Sequence, residues 1–139
     1  MKVMTYEIPV SSSKEGDMID ISSDVQNIVN KSGLRSGIAV VFVPGSTGAV
    51  STVEYEPGLK KDIPRMLERI APSDEYYEHH KTWGDDNGRG HVRATFIGAS
   101  ITVPFVNGRL TLGTWQQIVF IELDTRARKR RLVVQLLGE

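Results

Sequence analysis

The chain has 139 residues, 40% of them apolar and 24% charged, with 17 basic and 17 acidic side chains and no cysteine. This predicts one globular domain over residues 1–139 and excludes a disulfide framework, a thiolate nucleophile and cysteine metal ligands. Zero net charge argues against nucleic acid and membrane as partners, no apolar run is long enough to span a bilayer, and no signal peptide is seen, so a cytoplasmic protein is expected. Weak charge repulsion also suits a protein that buries surface in an oligomer.

Residues 2–10 alternate loosely and read as a first strand, and "EGDMIDIS" as a short second one. "SSDVQNIVNKSG" has helix signals: Ser23 and Gln26 form a candidate capping box, Val25, Ile28 and Val29 share a face, and Gly33 supplies the stop. "GIAVVFVPG" is a continuous apolar run that predicts a strand buried on both faces. "GSTGAVSTVEYE" predicts a turn and a strand pairing back on the previous one. A second helix spans roughly Leu59 to Ile70; with Pro64 inside it, the helix either starts near Asp62 or kinks there.

"YYEHHKTWGDDNGRGH" follows, from Tyr76 to His91, and reads as loop. "VRATFIG" reads as a short helix or a strand, with helix preferred, and "ASITVPF" as a strand. Asn107-Gly108 is a hairpin turn. "TLGTWQQIVFIELD" predicts one long strand, "TRARKRR" a basic turn and "LVVQLLG" a last strand. Seven or eight strands with two or three helices and no βαβ regularity predict an α+β fold: a two-sheet, mostly antiparallel β-sandwich with helices on one side.

The stretch 76–91 holds all 3 histidines. Imidazole is a common metal ligand and titrates near neutral pH. His79, His91 and Asp86 are therefore candidate ligands for a divalent ion such as zinc or magnesium, or acid–base groups; Asn87 lies beside them. The same residues also suit a polar surface loop with turn chemistry. Alternation along the long strand puts Thr114, Gln116 and Glu122 on one face, as the wall of a polar cavity or as part of a subunit interface. "PGSTGAVST" has the hydroxyls and glycines of an anion loop but not a P-loop's lysine or spacing, and reads as a hairpin turn. "RARKRR" reads as a solvated turn, with Arg126 and Arg128 available to an anion at a cavity rim.

"GHVRATFIGASITVPFVNGRLTLGTWQQIVFIELD" with "RKRRLVVQLLGE" closely resembles the C-terminal half of the YjbQ-like family, often labelled secondary thiamine-phosphate synthase. The specific elements are "GTWQ", the upstream His-x-Arg-Ala, Pro-x-x-x-Gly-Arg-Leu and the terminal "LLGE". The N-terminal half follows in the same order. The resemblance implies a trimer with sheets packed around a threefold axis and a small phosphorylated substrate. The implied reaction joins a pyrimidine diphosphate to a thiazole phosphate, usually with magnesium. Under it, His79, His91, Asp86 and Glu122 would be catalytic, and Thr114, Gln116, Asn87 and Arg126 would bind substrate. Two other functions use the same residues: a metal-dependent phosphohydrolase, and a trimeric scaffold whose histidines join subunits. The chain departs from the family at Pro44, where many members carry histidine, and around Thr52, Val53 and Glu54, where they carry Asn-Glu-Asn.

Overall fold

The computed structural model describes residues 1–139. Eight strands and four helices follow in the order β1 (Lys2–Ser11), β2 (Met18–Asp20), α1 (Ser22–Ser32), β3 (Gly37–Phe42), β4 (Gly48–Val53), α2 (Leu59–Ile70), α3 (His79–Trp83), α4 (Gly88–Ile97), β5 (Ser100–Val106), β6 (Arg109–Leu110), β7 (Gln117–Glu122) and β8 (Lys129–Gly138). They form a five-stranded sheet, β1-β8-β3-β5-β6, and a three-stranded sheet, β2-β7-β4. Every pairing is antiparallel. The α+β two-sheet class holds. No helix is long and apolar enough to cross a membrane.

Strand alternation places the core. Ile118 and Phe120 of β7 point between the sheets, with Val41 of β3, Phe105 of β5, Leu132 of β8 and Val25 of α1. The intervening Val119 and Ile121 point the other way, against Leu67 of α2 and Ala94 of α4. Thus β7 is buried on both faces. A side chain such as Phe120, with no exposed surface, contributes about 2–3 kcal/mol by leaving water.

Several local expectations are corrected. Strand β4 does not pair with β3; it pairs with β7 in the other sheet. The Gly-Ser-Thr segment therefore crosses between sheets and makes no hairpin. Strand β3 is not covered on both sides: Ile38 and Phe42 are 37% and 43% exposed. Register aligns Ile38 with Leu137 and Pro104, and Leu137 with Val3, so an apolar row crosses the open face of the larger sheet. The Ser23–Gln26 capping box does not form. Gln26 instead bonds the β5–β6 turn through the Gly108 carbonyl and the Leu110 amide, and the Ser22 hydroxyl accepts from the Ile118 amide. Helix α2 begins at Leu59 and contains Pro64. The long strand begins only at Gln117: the Gln116 side chain accepts from the Gly113 amide and its backbone amide bonds the Gly113 carbonyl, closing a turn. The stretch 76–91 is also no plain loop, since it contains α3 and the first turn of α4. Asn107 and Gly108 do turn the β5–β6 hairpin, with φ of 53° and 76°.

Candidate functional site

Two glycines of "GRGH" bring the histidine segment to the end of β7. A Cβ on Gly90 would stand 2.1 Å from the Leu123 carbonyl oxygen, and one on Gly88 would stand 2.6 Å from Tyr77 Cβ. Only glycine lets α4 approach both so closely. The helix is then clamped on either side of His91. Arg89 makes a two-pronged ion pair with Glu15 in the β1–β2 connection. Arg93, 4% exposed, reaches the Ala71 carbonyl at the end of α2 together with Glu68 and Glu15. The His-x-Arg spacing was visible in the sequence, but the anchoring role of these arginines was not.

The His79 and His91 rings lie 4.4 Å apart between centroids, tilted by 39°. Burial, and then the neighbouring His79, push the His91 imidazole below its ordinary value, against the pull of Asp85 and Asp124. His91 is therefore neutral at pH 7 and able to accept a proton. His79 Nδ1 stands 3.0 Å from Asp85 Oδ1, yet this approach makes no hydrogen bond and leaves Nδ1 buried without a partner. His80 is exposed and turns away, its Nδ1 2.7 Å from the Asp85 carbonyl oxygen and donating to it.

Beside the imidazoles is a cavity of about 260 Å³ with an all-polar lining: Asp85, Asp86, Asn87, Asp124, Thr125, Arg126 and Arg128. Asp124 is its best-held carboxylate. Burial would raise its pKa, but the Thr125 amide, Arg128 and Asn87 outweigh that and hold it below the usual carboxylate range. Asn87 donates from Nδ2 to Asp124 at 3.5 Å, and its own Oδ1 is buried without a partner. An unsatisfied buried acceptor costs about 1–3 kcal/mol. A donor on a bound molecule would relieve it.

Of the predicted residues, His79, His91, Asp86, Asn87 and Arg126 gather at this end of the molecule. Glu122 lies behind the wall. It has no exposed surface and is saturated by Arg130, the Ser12 hydroxyl and the Asp124 amide. Thr114 and Gln116 sit at the opposite end of β7, roughly 20 Å of strand away, where Gln116 bonds Thr52. Asp124 was missed by the sequence reading. Its signal was the "LDTR" step, an aspartate just past a buried strand and one turn before a basic residue.

Zinc or magnesium was a candidate cofactor. No three His, Asp or Glu side chains of the chain converge closely enough to hold an ion. The exposed Asp86 uses only its carbonyl, which accepts from Arg89, and it is Asp85 that approaches His79. His79, His91 and Asp86 do not form a ligand set within one chain.

Residues 6–139 match the model of the UPF0047 protein YjbQ-like family. A UPF0047 protein of Methanothermobacter thermautotrophicus is 43% identical over 139 residues, covering 100% of this chain and 95% of its own length. The UPF0047 protein YugU of Bacillus subtilis is 32% identical over 136 residues, covering 97% of this chain and 100% of its own. Among solved structures, a YbjQ-like protein of unknown function from Sulfolobus solfataricus superposes with a TM-score of 0.92 at 37% identity, over 99% of both chains. A YjbQ/UPF0047 protein from Clostridium acetobutylicum gives 0.82 at 32% identity, over 96% of this chain and 99% of its own. With its whole length matched in sequence and in fold, the chain belongs to the YjbQ-like UPF0047 family.

Proposed function

We propose that this end of the molecule is an acid–base site acting on a small phosphorylated substrate. The observation that carries the reading is a neutral, half-buried imidazole, His91, beside an all-polar cavity edged by Thr125, Arg126 and Arg128. The guanidinium and hydroxyl groups suit phosphate oxygens, and His91 suits proton transfer to or from the reacting atom. Asp86 and Asn87 would meet the rest of the substrate.

The family resemblance names a transferase of the thiamine-phosphate synthase type. Complementation of a thiamine auxotroph tests it. Wild type should rescue growth and His91→Ala should not. Equal rescue by both, or by neither, removes the assignment. A phosphohydrolase is favoured by one feature: the cavity has no apolar wall on which a pyrimidine could stack. Phosphate release from small phosphate esters separates the two.

A homotrimer fits the open apolar row Val3–Leu137–Ile38–Pro104, which a second copy would cover. Sedimentation of the purified protein reads this directly. If the histidines only join subunits, His79→Ala lowers trimer stability and there is no turnover to lose. A divalent ion would need a donor from a second chain in addition to His79 and His91, and elemental analysis of the assembled protein is the check.

A further inference from the structure

Because the Gly-Ser-Thr segment crosses between sheets, its backbone has no ladder to join. The amides of Gly45, Ser46 and Thr47 donate to no group of the chain. Gly45 has φ +119°, a conformation that side chains with a Cβ rarely adopt. Directly against it lies Arg130, whose Nη1 is 3.2 Å from where a Cβ on Gly45 would stand.

The Arg130 side chain is only 5% exposed. Its Nε and Nη2 are committed to Glu122 and to the Thr47 hydroxyl. Its Nη1 donates to nothing in the chain and is not sealed from solvent. The guanidinium is thus held rigid, with one edge left over and turned to a loop of unused amides. Donors fixed in advance bind without paying again for being ordered.

We infer that the 45–47 loop and Arg130 Nη1 form a subsite for a small oxyanion, with a phosphate group as the ligand chemistry. Consecutive backbone N–H groups and a guanidinium edge match tetrahedral oxygens. Glu122 balances the Arg130 charge, so the subsite selects by donor geometry more than by net field. Thr47 donates to Asp124 Oδ2 at 3.3 Å, so the subsite adjoins the polar cavity. The inference rests on the phosphorylated-substrate reading for its biological use, but not for its test.

That test is a titration of the full-length ¹⁵N-labelled protein with inorganic phosphate, followed by backbone and arginine side-chain NMR. The expected result is saturable shifts at the Gly45, Ser46 and Thr47 amides and at Arg130 Nε. Gly45→Ala should weaken this response at least tenfold. Shifts confined to Thr125, Arg126 and Arg128, or no saturable shift, overturn the subsite, as does a folded Gly45→Ala variant that binds like wild type. If that variant does not fold, the wild-type titration alone decides. Loop binding in a protein with no turnover supports the subsite and removes only the acid–base reading.

Discussion

Two carboxylate–arginine pairs stand side by side at the end of β7, both with a buried carboxylate, and they differ in how much of the arginine meets solvent. Glu122 and Arg130 are buried in the core, their side chains 0% and 5% exposed, with only the Nη1 edge of Arg130 left open. Asp124 and Arg128 form the cavity wall, with the Arg128 side chain 36% exposed. Parity does not separate the two acids, which are two residues apart: Glu122 continues the inward face of Ile118 and Phe120, while the chain leaves the ladder before Asp124. A buried pair is costly to break because the remaining charge has nowhere to go. The wall pair keeps water on one side, so Arg128 can reorient toward a ligand, whereas Arg130 can meet one only at its fixed Nη1 edge.

The largest expected effect is on stability. Glu122→Ala should cost about 3–5 kcal/mol in denaturant unfolding, because it strands Arg130. Asp124→Asn should cost about 1–2 kcal/mol, since Arg128 can turn to solvent. Equal costs would erase the distinction between the pairs.

Next is Gly90→Ala, which drives a Cβ into the Leu123 carbonyl and should destabilise by about 1–3 kcal/mol. Because the Leu123 carbonyl belongs to the peptide that carries the Asp124 amide, NMR shift changes should concentrate at Asp124, Asn87 and His91 and be small by Arg130. A uniform response would mean that α4 does not set the wall.

The smallest effect concerns pH. His91 has a folded pKa below its ordinary 6.5, so the unfolded chain binds its proton more readily. Its contribution to stability is complete above about pH 6.5 and is lost as pH falls through the folded value. Stability should therefore fall on acidification across that window, with a shallower slope in His91→Phe. Asp124→Asn should steepen it by removing a charge that favours the imidazolium, and Glu122→Gln should leave it unchanged. Parallel slopes in all variants would show that His91 does not feel the wall pair.

Pattern alone determined much of this protein. The two-sheet α+β class, the span of α2, the Asn107-Gly108 hairpin and the clustering of His79, His91 and Asn87 were all legible, because apolar period and turn chemistry are local properties. Which strand β4 joins, where β7 begins and which carboxylate lines the cavity were not. Those depend on contacts between residues far apart in the chain, such as Gly90 with Leu123, Arg130 with Glu122 and Thr47 with Asp124. "IELDTRARKRR" shows two acids among bases, and only packing makes one of them core and the other a wall. The physical reason is that charge is written in the sequence, whereas the desolvation that decides its role is set by neighbours brought together by the fold.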